Sequence, residues 1–277
     1  AEMIVAFQGE KGAYSEDAVF SWDAEAKALE CPEFLDLFDA VRSGRADLGM
    51  LPVENSIEGS VTAANDLLFR SDLKVVGEVM VHIRHCLIGH PDAELADVRR
   101  VYSHPQALAQ CRDLLTAHPE WQKVPAFDTA GSVRMIKERG MRDEAALASR
   151  RAATTYGMKV LLEDVQSVRN NITRFFVISR EGSKVKGNKT ALAFTTKNQP
   201  GALLECLKAF ASHQVNITKL ESRPWQGRTW EYVFYLDLDG DAREERVAEA
   251  LAVLRESASC VRMFGSFTKA VQPSVGP

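Results

Sequence analysis

Four polar clusters in this 277-residue chain each border a run with β-strand character. Asn55 and Ser56 lie within Pro52–Val61, after the run Asp47–Leu51. Ser103 and Gln106, with Gln110 one helical turn further on, follow Val98–Ser103. Thr129, Gly131 and Ser132 follow Asp128 at the start of a helical pattern. Asn171-Ile172-Thr173-Arg174-Phe175 runs directly into Phe176-Val177-Ile178. In open α/β sheets, ligands gather at loops beyond the carboxyl ends of strands, so these are the places to seek chemistry. Amides and hydroxyls there can orient a small polar ligand. A helix start adds unpaired N–H groups and a partial positive charge suited to carboxylate or phosphate. The same residue types also cap helices, which is what one such cluster alone ordinarily does. Four in one chain favour a ligand site.

Within the last cluster, the planar fork of Arg174 suits a carboxylate. Consecutive strand residues point to opposite faces, so Thr173 and Arg174 share a ligand only if the strand is irregular. Phe175 is on the Thr173 side under regular pleating, as a wall against a ring or as core. Glu54 is the wrong charge for an anionic ligand and suits a role orienting Asn55 or pairing with a cation. His82-Ile83-Arg84-His85-Cys86 places its two histidines on opposite strand faces, with no second ligand pair, which favours structure over metal. Gly9-Glu10-Lys11-Gly12 lacks the ending of a phosphate-binding P-loop.

Alternating strands and helices must position these clusters. Met3–Phe7, Asp47–Leu51, Lys74–Leu87, Val98–Ser103 and Val124–Phe127 have strand character. Helices are expected from about Ser15, from Pro105 through about Leu115, over Gly131–Arg139 and over Ser149–Tyr156. This is an α/β pattern with a largely parallel sheet. A polar, glycine-containing linker spans Arg180–Lys189. Beyond it come the strand Thr190–Thr196 and a helix introduced by Pro200-Gly201, with Leu203, Leu204, Leu207 and Phe210 on one face. Val215–Ser222 and Thr229–Leu238 are strands, Arg243–Ser257 is a helix and Cys260–Thr268 is a closing strand. The order is βαββαβ, the ferredoxin-like arrangement.

Composition narrows the class. With 45% hydrophobic and 26% charged residues, the chain is that of an ordinary globular protein. The net charge of -4 and the absence of a Lys/Arg block argue against nucleic acid, while leaving room for a small anion. No apolar run approaches the roughly 20 residues that span a bilayer. The N-terminus lacks the pattern of a secretory signal, and five scattered cysteines without a C-x-x-C pair suit reduced thiols in the cytoplasm.

Together these residues resemble the prephenate dehydratase family over about residues 3–269. The resemblance rests on Gly9-Glu10-Lys11-Gly12-Ala13-Tyr14-Ser15, Pro52–Val61, Ser103–Cys111, Asn171–Phe175 and Glu221-Ser222-Arg223-Pro224. It implies a two-lobed, periplasmic-binding-protein-like catalytic domain at 1–182, an ACT regulatory domain at 189–269 and a tail at 270–277. It also implies loss of water and carbon dioxide from prephenate to give phenylpyruvate, with feedback by phenylalanine. Aromatisation supplies the driving force, so neither metal nor cofactor is expected. Thr173 is then the catalytic residue, donating to the departing ring hydroxyl; as a weak acid, it contributes a positioned hydrogen bond. Asn55, Ser56, Ser103, Gln106, Gln110, Thr129, Gly131, Ser132, Arg174 and Phe175 are the expected substrate contacts. The first glycine loop departs from the family, with Ala13 and Tyr14 where threonine and phenylalanine are common. No chorismate mutase module precedes the first strand, which implies a monofunctional enzyme.

In the C-terminal half, Gln199-Pro200-Gly201-Ala202-Leu203 resembles the family's phenylalanine-binding loop, and Glu221 and Ser222 open its second binding motif. Small Gly201 and Ala202 let a ligand approach the backbone at a helix start. The expected assembly is a homodimer or homotetramer. Two other readings remain open: an arogenate dehydratase, and a non-catalytic amino-acid sensor.

Overall fold

The computed structural model describes residues 1–274. Two units divide the chain, residues 1–61 with 80–175 in one and residues 62–79 with 176–271 in the other. The division passes through two strands, between Val79 and Met80 and between Phe175 and Phe176.

In chain order the elements begin β1 (Ile4–Gln8), α1 (Tyr14–Trp22), β2 (Lys27–Cys31), α2 (Phe34–Ser43), β3 (Leu48–Asn55) and β4 (Gly59–Ser60). Next come α3 (Thr62–Arg70), β5 (Lys74–His82), β6 (Cys86–Gly89), β7 (Arg100–Ser103), α4 (Pro105–Gln110) and α5 (Arg112–Ala117). β8 (Gln122–Pro125), α6 (Thr129–Arg139), β9 (Glu144–Ala148), α7 (Arg150–Tyr156), β10 (Lys159–Leu162) and β11 (Ile172–Ser179) follow.

Two sheets organise the α/β part of the chain, as the two-lobed expectation requires, and neither of them is wholly parallel. One has the order β2-β1-β3-β11-β5, with β4 beside β3 and β1 parallel to both β2 and β3. The other has the order β10-β6-β9-β7-β8 and is mixed: β7 is parallel to β8 and β9, whereas β6 is antiparallel to β9 and β10. Central strands buried on both faces read as unbroken apolar runs, as Val5, Ala6 and Phe7 do in β1. Each sheet anchors one α/β lobe.

The chain passes between the lobes twice, through residues 83–85 and 163–171. Ile83 N–H donates to Asn171 O at 2.7 Å, and Val165 N–H to His85 O at 3.0 Å. The Gln166 side chain accepts from His85 N–H at 2.8 Å, completing a paired crossing without regular structure. The first-lobe loop at Gly12 reaches α7 of the second lobe. Gly12 has φ +93°, and a Cβ there would come within 2.8 Å of Ala152 Cα, so glycine is required on both counts. Ser149 caps α7 and donates its hydroxyl to Gly12 O at 2.7 Å. Glu10 pairs with Arg134 of α6, and Asp17 with Arg151 of α7.

The helix expected over 105–115 breaks at Cys111, which has φ -108° and ψ 24°. Its cause is a distant residue: Gln110 O accepts from Ser167 N–H at 2.7 Å, so that carbonyl is engaged outside the helix. The interruption fixes the Gln110 side chain beside the second crossing.

The second unit contains β12 (Lys189–Thr195), α8 (Ala202–Ser212), β13 (Ile217–Pro224), β14 (Tyr232–Asp239), α9 (Glu245–Ser257) and β15 (Cys260–Phe267). Its antiparallel order, β13-β14-β12-β15, gives the expected βαββαβ unit. Leu192, Phe194, Leu236 and Leu238 bury against Phe210 of α8 and Val247, Leu251 and Leu254 of α9. Leu204 departs from the expected apolar face and is 57% exposed; Leu203 and Leu207 pack against the core instead. α3 and residues 74–79 of β5 belong to this unit, where Tyr235 OH donates to Asn65 O and Asp66 pairs with Arg223.

Candidate active site

Adjacent strands β3 and β11 bring the first and fourth polar clusters together. Asn55 Nδ2 donates to Thr173 Oγ1 at 3.0 Å and to Asn171 Oδ1 at 2.8 Å. Asn55 Oδ1 accepts the backbone N–H groups of Ile57 and Glu58 at 2.9 and 3.0 Å, which closes the turn after β3. Ser56 fastens the same edge. Its hydroxyl donates to Asn170 O and accepts from Ile172 N–H, and its own N–H donates to Ile172 O.

The neighbouring residues use the opposite face. Arg174, its side chain only 8% exposed, donates to Glu54 Oε2 at 3.3 Å. Asn55 meets Thr173 while Glu54 meets Arg174, as the pleat of two regular strands requires. The guanidinium expected to receive a substrate carboxylate is therefore turned to a carboxylate of the protein. Phe175 is 1% exposed and lies in the core.

The second cluster contributes through its last member. Gln110 Oε1 accepts from Asn171 Nδ2 at 3.1 Å and lies 2.8 Å from His85 Nε2. His85 Nδ1 in turn lies 2.9 Å from Tyr14 OH, which is also 2.9 Å from Arg84 O. Asn171 is fully buried and His85 is 3% exposed. Burial pushes the His85 pKa below its usual value, against a smaller upward effect of Gln110, and keeps the imidazole neutral at pH 7. Burial likewise holds the Tyr14 hydroxyl protonated. Both nitrogens of His85 are thus engaged by protein groups, and His82 Nε2 meets Arg169 O at 2.7 Å. The histidine pair at 82 and 85 has a structural place in the first crossing.

Ser103 and Gln106 sit apart from this network. Ser103 is fully buried at the end of β7 and donates to Leu147 O at 2.7 Å. Gln106 is exposed, and its N–H donates to His104 Nδ1 at the start of α4. At the third cluster, Asp128 caps α6: its Oδ2 accepts Gly131 N–H at 3.2 Å, while Ser132 donates its hydroxyl to Asp128 O at 2.6 Å. Thr129 begins that helix half-buried. Burial, and then the nearby Glu10 charge, raise the Asp128 pKa, so this helix start already faces two carboxyl groups.

In the second unit, Gly201 is the N-cap of α8 at φ +82°, with open space where a Cβ would stand. Ala202 and Leu203 form the first turn, half-buried. Glu221 and Ser222 alternate inward and outward on β13, and Glu221 lies 3.8 Å from Lys219 Nζ.

Sequence reasoning missed His85, Tyr14 and Asn171 as members of the network. Asn171 stands in the Asn171–Phe175 run, but its role depends on a side chain 61 residues away. His85 was legible only as half of a histidine pair, because its partners come from α1 and α4.

Chemically, the network is a set of neutral amides and one imidazole that ends at a half-exposed threonine hydroxyl. Among the described residues, the Thr173 hydroxyl hydrogen and the Gln110 amide N–H2 have no protein acceptor. Such a site can donate hydrogen bonds to a polar substrate without introducing a charge.

Comparisons with known proteins identify the family of the chain. The family model for prephenate dehydratase matches residues 5–183, and that for the ACT domain matches residues 190–256. An arogenate dehydratase/prephenate dehydratase of Arabidopsis thaliana is 38% identical over 275 residues, covering 95% of this chain and 72% of the relative. The structure of prephenate dehydratase from Arthrobacter aurescens in complex with L-Phe is 35% identical, with a TM-score of 0.88, covering 99% of this chain and 93% of that one. GqqA, described as a quorum quenching acylase, is 37% identical, with a TM-score of 0.88, covering 95% and 97%.

Proposed function

Because the chain belongs to the prephenate dehydratase family and carries an ACT domain, we propose that Thr173 is the residue that drives loss of the ring hydroxyl from prephenate. The activity is that of a lyase. As the ring carboxylate leaves as carbon dioxide, the electrons of its C–C bond complete the aromatic ring and expel the hydroxyl. That hydroxyl takes up a proton and departs as water, leaving phenylpyruvate. The observation that carries the reading is the Asn55-to-Thr173 hydrogen bond, which fills a lone pair on Thr173 Oγ1 and leaves its O–H as a donor. A donor aimed at developing negative charge in a partly desolvated site lowers the barrier more than it lowers the ground state.

Asn55 and Gln110 complete the polar floor, with Ser56 as its strap. Ser103, Gln106, Thr129, Gly131 and Ser132 shape the second-lobe rim, chiefly through backbone and caps. Arg174 braces β3 through Glu54, and Phe175 supports the strand from the core. Residues 1–182 serve catalysis and residues 189–269 regulation, with phenylalanine held by Gly201, Ala202, Leu203, Glu221 and Ser222. Residues 270–277 are a tail, of which 275–277 lie outside the described residues. The working protein is a cytoplasmic homodimer or homotetramer; its cysteines carry no disulfide among the described residues. Among those residues no helix is long and apolar enough to cross a membrane.

The test is incubation with prephenate, following phenylpyruvate with and without phenylalanine. Product formation that phenylalanine suppresses is expected; absence of product defeats the reading and returns the amino-acid sensor. A second reading, arogenate as the preferred substrate, is favoured by the name of the Arabidopsis relative. A higher kcat/KM on arogenate than on prephenate would establish it.

A further inference from the structure

The polarity of the buried network can be derived from one end. Asn55 Oδ1 faces two backbone N–H groups, those of Ile57 and Glu58, so it must be the amide oxygen. Asn55 Nδ2 is then the donor to both Thr173 Oγ1 and Asn171 Oδ1. With its oxygen accepting, Asn171 offers its N–H2 to Gln110, whose facing atom must be Oε1. The same oxygen lies 2.8 Å from His85 Nε2, so that nitrogen carries a hydrogen. Neutral His85 is therefore the Nε2–H tautomer, and its Nδ1 is an acceptor that shares the single Tyr14 hydroxyl hydrogen with Arg84 O, to which that hydroxyl also donates at 2.9 Å. From Asn55 to His85 Nε2, each step follows from donor and acceptor count.

The two ends have the same outcome. Thr173 accepts from Asn55 and keeps its hydrogen for the substrate. Gln110 accepts twice on Oε1, and its N–H2 group has no acceptor among the described residues. Two neutral donors are thus left over, and the Gln110 amide cannot turn over without breaking its hydrogen bond from Asn171. Reversing Gln110 would set its N–H2 group against the Asn171 N–H2 and force His85 into the other tautomer, at a cost on the order of 1–3 kcal/mol for the unsatisfied amide.

We propose that His85, held by Tyr14, is a positioning residue that fixes the Gln110 amide with its N–H2 toward substrate and, through Asn171 and Asn55, keeps the Thr173 hydroxyl a donor. It does so from the first crossing between lobes, where its backbone also bonds to Gln166 and Val165. The imidazole itself exchanges no proton with the substrate. This rests on the dehydratase reading of Thr173 but makes separate demands.

The experiment is a double-mutant cycle on prephenate turnover, with His85→Leu and His85→Gln made alone and with Gln110→Leu. Folded fraction is measured on each variant by circular dichroism. H85L is expected to lower kcat by about tenfold or more with KM within about threefold. H85Q restores a side-chain N–H donor and should return kcat to within about threefold of wild type, with an unchanged kcat–pH profile. In the Gln110→Leu background H85L should cost less than about twofold, since the amide to be oriented is gone. An undiminished kcat in H85L, or an H85L loss equally large with Gln110→Leu, would overturn the proposal. So would loss of one limb of the pH profile in H85Q, which would make His85 an acid or base. If H85L yields no folded protein, Tyr14→Phe takes its place in the cycle: loss of kcat that Gln110→Leu abolishes supports the proposal, and an additive loss overturns it. Should Thr173→Ala turn over at the wild-type rate, the dehydratase assignment of Thr173 fails, while the His85–Gln110 coupling is still read from the same assay.

Discussion

The Asn55–Thr173 cluster in one lobe and the Asp128–Ser132 cluster in the other share a sequence character, small polar residues bordering a strand. Their hydrogen-bond accounts differ. At Asp128 the protein consumes its own groups: the carboxylate caps Gly131 N–H, and the Ser132 hydroxyl returns to Asp128 O. At Thr173, three amides each spend their acceptors internally, so that donors remain at the edge. A polar cluster becomes a site when its internal bonds leave one kind of group over. A helix start becomes an anion site only when its N–H groups are not already capped.

The comparison can be broken most severely at Thr173. Thr173→Val keeps the side-chain shape and removes the hydroxyl, and kcat on prephenate should fall by about three orders of magnitude. Asn55→Asp is a subtler test. Its oxygens still accept from Ile57 and Glu58, but it can no longer donate to Thr173, whose hydroxyl would turn inward to the new carboxylate. A fall in kcat of about 100-fold with native circular dichroism is expected; full activity would show that the polarity is irrelevant.

On the other side of the comparison, Ser132→Ala should leave kcat and KM within about twofold and lower stability by about 1 kcal/mol in urea unfolding. A large rise in KM would restore the Asp128–Ser132 cluster as a direct substrate contact. The smallest effect concerns pH. The folded-state pKa of His85 is lowered, so its contribution to stability is present above the ordinary value of 6.5 and is lost as pH falls through the folded value. Tm should therefore decline below pH 6.5 more steeply in wild type than in His85→Gln, and parallel curves would remove the buried imidazole as the cause.

Much of this was legible in the sequence because it depends on local periodicity. The βαββαβ order of the second unit follows from the strand-like runs Thr190–Thr196, Val215–Ser222, Thr229–Leu238 and Cys260–Thr268 around two helical patterns, and the strand-then-polar rhythm marked Asn55, Gln110 and Thr173. Alternation also warned that Arg174 and Thr173 would face apart, as they do. What was hidden is non-local. β9, Glu-Ala-Ala-Leu-Ala, lacks β-branched residues and is a strand because it is the buried centre of its sheet. The break at Cys111 needs Ser167, 57 residues from Gln110, to claim the Gln110 carbonyl. The grouping of residues 62–79 with the second unit depends on partners such as Arg223 and Tyr235, far along the chain. His85 joined the site only when α1 and α4 supplied its two partners.

The central claim is that the Thr173 hydroxyl, and nothing else about that side chain, serves the departing group. Thr173→Ser tests it most directly in the phenylpyruvate assay, beside Thr173→Val. The serine variant retains the donor and should run within about tenfold of wild type and at least about 100-fold faster than the valine variant. A serine variant as slow as the valine one, or a valine variant as fast as wild type, would contradict the account.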